Sequence, residues 1–543
     1  MTKEEATSQI THSIFHSIYA NFSKARMKLY RWRHLGWLVL LVAALNVVCI
    51  GGKRRAFGIF VAALHTAYND TSMTELNWVG DSYAALGFFL MPFATTVIIR
   101  LNRPYRSTMF TAGLLIFVSC MTSAAVPSPG YLFLTHTLIH GLGSTLILCG
   151  TSLVTAEYFD KSHRFHVLAT AFVSGGPYGV LIFGPLYSHL IQNYGWQVAF
   201  QISGVLFLLV TCLAGIVFLS RDMFEYHQAM TDTPDGFDEN SVNKSLRRQS
   251  LLLRNSPKAS DGRGWAFCSI DHMKNNPQVF IWAFERLIHN LVIYGLLMNM
   301  TAYVSQALND QLVLGARVNL YFGVGESVVF TIGALIGDRI RGYLAFAYFI
   351  GASFAALFLI IMQKTYEDIN VVYILAGFTG ATVGVGNTFL YATSEEVMLV
   401  HGSIAFPMTK MIAGIGMLLA PLFSGAIIDG FGYGGFFISM AVLVTIRVVL
   451  LGFICYILHR KKKLILASEK DQLPTNGGNE LYHCCQNTDN PCNEKLTNLN
   501  SVNSNGNAVF IADAAYPEST RSDLENRIQI SSQWYQENDR KLP

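Results

Sequence analysis

The sequence predicts an all-α membrane protein with twelve transmembrane helices in two six-helix halves and with both termini in the cytoplasm. Three observations predict this fold: charged residues are concentrated outside two apolar blocks, each block divides into runs of membrane-spanning length, and the basic residues of the loops favour one side. Of the 543 residues, 52% are hydrophobic and only 14% are charged, where a soluble globular protein carries roughly a quarter. This composition excludes a soluble multidomain enzyme.

Charged residues are distributed unevenly along the chain. Residues 35–220 and 278–459 hold 29 of the 74 Asp, Glu, Lys and Arg residues, about 8% of their positions, whereas the other 175 positions hold 45, about 26%. We therefore expect two membrane-embedded blocks and three aqueous segments. The expected domains are an N-terminal cytoplasmic segment at 1–34, a first half at 35–220, a cytoplasmic central loop at 221–277, a second half at 278–459 and a cytoplasmic tail at 460–543.

Each apolar block supplies six runs of the roughly 20 residues that a membrane helix needs. In the first block they fall near 35–62, 77–99, 107–126, 130–155, 166–189 and 196–219. In the second block they fall near 278–305, 318–337, 343–362, 370–393, 404–427 and 434–458. The loops between runs are short, and the two blocks have matched lengths.

Basic residues in the short loops give the orientation, because cytoplasmic loops carry an excess of Lys and Arg. Sixteen lie on one side, namely Lys24, Arg26, Lys28, Arg31, Arg33, Arg100, Arg103, Arg106, Lys161, Arg164, Arg339, Arg341 and the run Arg460 to Lys463. The loops of the opposite side hold only Arg317 and Lys364. The sixteen-residue side, which includes both termini and the central loop, is therefore predicted to be cytoplasmic.

Several partner and chemistry classes are excluded by composition and motif. A net charge of +4 is too small over this length to indicate a nucleic-acid partner, and the nine cysteines show no zinc-type pair spacing. No Gly-x-Ser-x-Gly, His-Glu-x-x-His or phosphate-loop motif occurs, so we expect no enzyme, metal or cofactor. The central loop and the tail lack an apolar period, and their composition predicts disorder.

A run of three cations, Lys53-Arg54-Arg55, interrupts the first apolar run. A charge at the centre of a membrane helix costs about 2.5–3.5 kcal/mol on the insertion scale. In one interpretation the helix ends near Ile50 and the cations reach the outer surface. In the other, one cation faces a central cavity, where an arginine fork binds a carboxylate through two charge-assisted hydrogen bonds.

Glu326 lies in the eighth apolar run with no cation within one helical turn. Burial favours the neutral form of a carboxyl group, so Glu326 is expected either to carry a proton or to form an interhelical ion pair. Glu285 is expected to neutralise its neighbour Arg286. Asp81 and Lys410 lie early in their runs, so both are expected to reach a membrane surface.

Two further patterns concern packing. His136 and His140 are one helical turn apart, a spacing that allows zinc binding or proton relay, but without a third ligand we expect a packing pair. Glycines at three- and four-residue spacings, such as Gly377, Gly380 and Gly384, predict helices whose backbones approach closely. Such helices suit a protein that alternates between two states.

Several motifs resemble those of the monocarboxylate transporter family (solute carrier family 16) of the major facilitator superfamily. The resemblance covers about residues 35–458 and is carried by Arg55-Ala-Phe-Gly-Ile-Phe with Asn77-Trp78, by Tyr158-Phe-Asp-Lys161 leading to Ser174-Gly175, by Tyr194-Gly-Trp-Gln-Val-Ala-Phe200, and by Pro421-x-x-x-Gly425-x-x-x-Asp429-x-x-Gly432. The family's signature in its first span is reduced here to Gly36-Trp37.

The resemblance implies roles for four residues. Arg55 occupies the position of the family's lysine in its first span, which engages the substrate carboxylate, and Glu326 falls at the aspartate that takes part in proton coupling. Lys161 matches the lysine before the fifth span and is a candidate substrate-binding residue. The family's arginine in span eight, a main substrate anchor, falls at Phe330, which we expect to shape the pocket instead.

The resemblance implies a secondary transporter that moves a small organic anion or monocarboxylate-like metabolite by alternating access, with proton symport through Glu326 as one expectation. Because of Phe330, two alternatives stay open: a facilitator of aromatic or zwitterionic amino-acid-like solutes without proton coupling, and a non-transporting membrane scaffold or sensor. The expected partners are the small-molecule anion, H⁺, the lipid bilayer and a single-span ancillary glycoprotein. The expected location is the plasma membrane.

Overall fold

A computed structural model shows a chain of α-helices joined by short turns, with no β-strand among the residues it describes. Those residues are 29–30, 32, 34–68, 71, 73–221, 223–224, 276–307 and 312–472. Most of the expected N-terminal segment, central loop and tail lies outside them, so the predictions for these three segments stay predictions. Every contact described below lies within residues 29–463.

Seven α-helices form the described part of the first half. They are α1 Leu35–Ala67, α2 Met73–Phe89, α3 Met91–Arg100, α4 Tyr105–Ser123, α5 Gly141–Tyr158, α6 His166–Ser174 and α7 Tyr178–Val217. A 3₁₀ turn at Pro129–Tyr131 and a π-helix at Phe133–His140 lead into α5.

Five α-helices form the described part of the second half. They are α8 Pro277–Ala307, α9 Leu312–Ile336, α10 Leu344–Thr365, α11 Ile369–Met398 and α12 Gly402–Gln472. A 3₁₀ turn at Gly337–Ile340 follows α9. These bounds agree closely with the predicted apolar runs, for example 343–362 against α10 and 370–393 against α11.

The described helices make the chain a multi-pass membrane protein. Eight helical stretches are long and apolar enough to cross a membrane, or nine when the pair Trp78–Phe89 and Met91–Arg100, bent by 40°, counts as one span. The sequence predicts twelve spans. Two of the eight are far longer than one span, His166–Val217 with 52 residues and Gly402–Leu464 with 63. Large apolar side chains point outward along the helices, among them Leu41, Leu114, Leu209 and Leu335.

Each of the two longest stretches contains a residue with non-helical backbone. Gly195 has φ 86° inside α7, and Gly432 has φ 65° inside α12. Both angles lie in the left-handed region that glycine adopts without steric cost. The chain therefore changes direction at these two glycines, next to the predicted boundaries between the fifth and sixth runs and between the eleventh and twelfth.

Helix α1 continues without a break through Lys53, Arg54 and Arg55. The interpretation in which the helix ends near Ile50 is therefore wrong. Lys53 is fully buried, and it packs toward the first half's own core, where its ammonium lies 5.2 Å from the centroid of the Phe200 ring. Burial against neighbouring helices, rather than contact with an outer surface, accommodates Lys53.

Glycines bring α9 and α11 into backbone contact, as the spacing predicted. A Cβ added at Gly380 would collide with the backbone of Phe322, and one added at Gly384 would lie 2.6 Å from the backbone oxygen of Glu326. Small residues at such positions let helices approach closely in a membrane protein. This contact fixes the helix that carries Glu326 against its neighbour α11.

Candidate functional site

A cavity lies between the two halves, enclosed by α1 and α2 on one side and by α8, α9, α11 and α12 on the other. Its volume is about 30 Å³, room for about two water molecules. Its lining includes the cationic residues Arg54, Arg55, Arg286 and Lys410 and the carboxylate of Glu326. The cavity thus brings together charges from helices that are distant in sequence.

Arg55 and Glu326 form an ion pair across the halves. Nη2 of Arg55 donates to Oε1 of Glu326 at 2.5 Å, and Nη1 donates to the backbone oxygen of Gly176 at 3.2 Å. Nδ2 of Asn387 donates to the same Oε1 at 2.6 Å, whereas Oε2 is buried without a hydrogen-bond partner among the described residues. The structure therefore brings two predicted site residues together, and of the two roles expected of Glu326 it shows an interhelical ion pair.

Arg54 and Lys410 approach the same aromatic ring from opposite halves. Cζ of Arg54 lies 4.9 Å from the centroid of Phe88 and 5.8 Å from that of Tyr294, and Nζ of Lys410 lies 4.5 Å from the centroid of Phe88. Nζ of Lys410 also donates to the backbone oxygen of Ser174 at 3.0 Å. Within the part of the chain that the structure describes, neither cation forms an ion pair.

The expectation that Asp81 and Lys410 reach a membrane surface is wrong. Asp81 is 1% exposed and Lys410 is 6% exposed. Both lie on the inward face of their helices, which position along an apolar run does not reveal. An ionisable residue inside an apolar span marks a functional site by default, and this signal could have identified Lys410 from the sequence.

Glu285 pairs with its neighbour Arg286 on α8 and joins α8 to α12 through Arg447. Its carboxylate accepts from Nε and Nη2 of Arg286 at 2.6 and 2.9 Å and from Nε of Arg447 at 2.9 Å. The guanidinium of Arg286 also lies 4.7 Å from the ring centroid of Trp282. The expected neutralisation of Arg286 by Glu285 is confirmed. Arg447 is the third member of this buried cluster of charges.

Phe330 and Lys161, the other two predicted substrate-binding residues, do not line the cavity in this conformation. Phe330 is 1% exposed and packs where the halves meet, with ring centroids 6.0 Å from Phe172 and 5.6 Å from Tyr178. Lys161 is exposed in the loop before α6, where its backbone oxygen accepts from Arg341. Their roles in substrate binding stay predictions.

The loop that carries Lys161 is organised by Asp160. Its Oδ1 accepts hydrogen bonds from the backbone and the hydroxyl of Ser162, at 3.0 and 2.6 Å. Partial burial raises the pKa of Asp160, but the hydrogen bonds from Ser162 and the charge of Arg221 outweigh it and hold the pKa below its usual value. A charged Asp160 fixes the turn that enters α6.

A second set of contacts joins the halves at the N-terminus of α6. Oδ1 and Oδ2 of Asp338 accept from the backbone N–H groups of Val167 and Leu168, at 2.9 and 3.2 Å. Nε2 of His166 and Oε2 of Glu395 are 2.9 Å apart. A carboxylate from the second half thus caps a helix of the first half, where unsatisfied N–H groups and the helix dipole favour an anion. The sequence did not predict these residues, because a cap between distant segments leaves no local signal.

His136 and His140 form a packing pair, as expected. The ring of His136 stacks on Phe57 with centroids 4.9 Å apart, and Nδ1 of His140 lies 2.9 Å from Oγ of Ser144. Among the described residues, no group of three His, Cys, Asp or Glu side chains is placed to hold a metal ion.

Comparison with known proteins gives one family and several distant relatives. A family model described as Major Facilitator Superfamily matches residues 38–406, more than half of the chain. Monocarboxylate transporter 9 of Gallus gallus is 22% identical over 452 residues, 73% of this chain and 87% of that protein. Monocarboxylate transporter 13 of Rattus norvegicus is 26% identical over 178 residues, 33% of this chain and 40% of that protein.

A third relative, monocarboxylate transporter 12 of Homo sapiens, is 24% identical over 231 residues, 42% of each chain. The chain therefore aligns with about two fifths of the length of transporters 13 and 12 and with most of transporter 9. Their names agree with the family that the motifs around Arg55 and Pro421 resemble.

Proposed function

The chain belongs to the major facilitator superfamily, and from that premise we propose that it is a secondary transporter that moves a small organic anion across a membrane by alternating access. The observation that carries this proposal is the cavity between the halves. Its lining holds more cationic than anionic side chains, and both halves contribute to it, as a substrate site at the centre of an alternating-access transporter requires.

The proposed transporter has twelve membrane helices in two six-helix halves. This number follows when the two longest helical stretches are divided at Gly195 and Gly432, the bent pair α2–α3 counts as one span, and α4, with 19 residues, is added to the other spans. The excess of basic loop residues on one side supports cytoplasmic termini. We place the protein in the plasma membrane, in line with the family resemblance.

The described conformation is, in this proposal, closed toward the cytoplasm. The contacts of Asp338 and of His166 with Glu395 join the halves beside the loops that carry Lys161 and Arg341, which are predicted to be cytoplasmic. Opening the cavity to that side requires these contacts to break. Since the cavity holds only about two waters, the surrounding helices also have to separate to admit an organic anion.

Arg55 is the proposed anchor of the anionic group and Glu326 the proposed proton carrier. With Glu326 ionised, Nη2 of Arg55 is occupied by its carboxylate. Protonation of Glu326 removes that charge and frees the arginine fork to bind the substrate carboxylate. In this way the uptake of the anion is coupled to the uptake of a proton. Lys161 attracts the anion at the cytoplasmic mouth, and Phe330 controls the width of the cavity through the helices it joins.

An uptake screen tests the proposed function. The protein is expressed in oocytes, with and without a single-span ancillary glycoprotein, and supplied with labelled monocarboxylates, aromatic amino acids and acylcarnitine-like solutes at two pH values. Saturable uptake of an organic anion is expected. Arg55→Ala should abolish that uptake, whereas Lys364→Ala, which removes an exposed cation at the end of α10, should not. No uptake of any anion under any of these conditions would contradict the proposal.

A zwitterionic amino-acid-like substrate is the second candidate. Glu326 lines the cavity, and its Oε2 is buried without a hydrogen-bond partner among the described residues. A substrate ammonium group would pair with this carboxylate while Arg55 binds the substrate carboxylate. Uptake of aromatic amino acids in preference to their deaminated acids, without pH dependence, would favour this candidate. A membrane scaffold or sensor should show neither uptake nor solute binding.

A further inference from the structure

Two of the cations that line the cavity have no carboxylate partner in the described structure. Arg54 and Lys410 both contact the ring of Phe88, and both lie within the cavity wall. Arg55 and Arg286, by contrast, are paired with Glu326 and Glu285. The positive charge that the structure leaves uncompensated is therefore concentrated around Phe88.

The cations without a carboxylate partner also have few hydrogen bonds. Nε of Arg54 is buried without a hydrogen-bond partner, and Lys410 donates to one backbone oxygen, that of Ser174. An ammonium group can donate three hydrogen bonds and a guanidinium five. Both side chains therefore keep N–H groups that can donate hydrogen bonds to an anion in the cavity. Such an anion does not have to displace an existing ionic partner.

Arg55, in contrast, is already bound to a carboxylate. An anion that binds Arg55 in this conformation has to displace the carboxylate of Glu326 from a charge-assisted hydrogen bond of 2.5 Å. The displaced carboxylate would then be buried with Asn387 as its remaining donor. Leaving a buried charge without its partner is strongly unfavourable, so an incoming anion gains more by binding at Arg54 and Lys410.

Asp81 is a buried carboxyl group on α2, the helix that also carries Phe88. It does not line the cavity, and both of its oxygens are buried without a hydrogen-bond partner among the described residues. Asp81 therefore accepts no hydrogen bond from Arg54 or Lys410 and does not compete with a ligand for their donors.

We propose that Arg54 and Lys410 form a carboxylate-binding site of their own, one cation from each half, which holds the substrate's carboxylate against Phe88 while the Arg55–Glu326 pair stays intact. Apolar side chains of Ile293, Leu297 and Phe322 line the same cavity, so the ligand class is a carboxylate with an apolar body. The site rests on the proposed transport function and adds a first binding step to it. Because each half supplies one cation, a bound carboxylate also draws the halves together.

Transport kinetics test the site. Removing one charged donor from a carboxylate costs on the order of 10- to 100-fold in affinity, so Arg54→Gln and Lys410→Gln should each raise the KM of a transported carboxylate at least about tenfold. Arg54→Lys, which keeps the charge, should recover most of that loss. The matched control is Lys53→Gln: it removes a buried cation of the same helix that does not line the cavity and should leave KM within about twofold.

A binding assay separates failure of the site from failure of the transport function. Purified full-length protein is heated with paired carboxylates and uncharged amides, such as benzoate with benzamide and octanoate with octanamide. Stabilisation by at least one acid but not its amide is expected in the wild type and in Arg55→Gln, and its loss is expected in Arg54→Gln and Lys410→Gln. Such a result without any uptake would support the site and contradict transport.

Three results would overturn the site. The first is an unchanged KM in folded Arg54→Gln and Lys410→Gln proteins. The second is binding that disappears in Arg55→Gln but persists in the other two variants. The third is the absence of any carboxylate-specific stabilisation of the wild-type protein.

Discussion

Nη2 of Arg55 lies 2.5 Å from Oε1 of Glu326 and joins α1 of the first half to α9 of the second. Both side chains are almost inaccessible, 7% and 0% exposed, so the pair is desolvated and its Coulombic attraction is little screened. In the proposed mechanism this ion pair does two things: it holds one conformation of the two halves, and it releases that conformation when either charge is neutralised. The first variant below neutralises the carboxylate of this pair.

Glu326→Gln should flatten the pH dependence of uptake. A glutamine keeps the size of the side chain and a hydrogen-bond acceptor for Asn387, but it cannot gain or lose a proton. Uptake measured between about pH 5.5 and 8.5 checks this expectation, with Glu367→Gln as the control, which changes an exposed carboxylate in the turn after α10. A pH profile identical to that of the wild type would reduce Glu326 to a structural partner of Arg55.

Asp338→Ala should loosen the contact between the halves at α6. It removes the acceptor of the Val167 and Leu168 N–H groups, a loss typically worth about 0.5–2 kcal/mol. A cysteine introduced at Ala171, which is fully buried beside Phe330, should then react several times faster with an impermeant thiol reagent.

The matched control for Asp338 is Asp368→Ala. Asp368 also caps a helix, accepting from the N–H groups of Asn370 and Val371, but both partners belong to its own half. Its loss should destabilise α11 locally and leave the reactivity at Ala171 unchanged. Equal reactivity in the two variants would show that the Asp338 cap does not hold the halves together.

Gly380→Ala should destabilise the protein by about 1–3 kcal/mol, the usual cost of adding a carbon to a tightly packed contact. Its Cβ would collide with the backbone of Phe322, whereas a Cβ at Gly425 meets nothing within 4 Å. Thermal unfolding of detergent-solubilised protein, followed by the monodisperse fraction, compares the two alanine variants. Equal unfolding temperatures for Gly380→Ala and Gly425→Ala would contradict the close contact between α9 and α11.

Glu285→Ala should be the most destabilising of these changes, because it leaves Arg286 and Arg447 buried without a counter-charge. Breaking a buried ion pair from one side costs about 3–5 kcal/mol. Replacing Glu285, Arg286 and Arg447 together by Met should be less harmful than the single change. The same thermal measurement ranks the variants, and a single variant that is no less stable than the triple one would show that the arginines do not depend on Glu285.

The fold was largely predictable because hydropathy and loop charge are properties of whole segments. Predicted and observed helix bounds differ by a few residues at α8, α10 and α11. Hydropathy does not locate the direction changes inside a continuous apolar helix, since Gly195 and Gly432 look like any other glycine in a row of apolar residues. For that reason the described structure contains eight or nine helical stretches of spanning length, whereas the sequence predicts twelve spans.

The site was predictable only where a charge had no local explanation. Glu326 and Arg55 stood out because each is ionisable inside an apolar run. Arg54 and Lys410 meet that criterion too, but their place in the cavity wall was not assigned, because which face of a membrane helix points inward depends on its rotation about its own axis. A helix that is apolar on all sides carries no moment to reveal that rotation. Phe330 shows the same limit, since it lies where the halves meet and not on the cavity.

Counterflow with purified protein tests the central claim most directly. The protein is reconstituted into liposomes loaded with an unlabelled carboxylate identified in the uptake screen, and the labelled compound is added outside. An alternating-access transporter exchanges the two, so label should accumulate transiently above equilibrium, and Arg55→Ala should abolish the accumulation. Label that never exceeds its equilibrium level with wild-type protein, despite confirmed binding of the compound, would contradict transport and leave a solute-binding membrane protein.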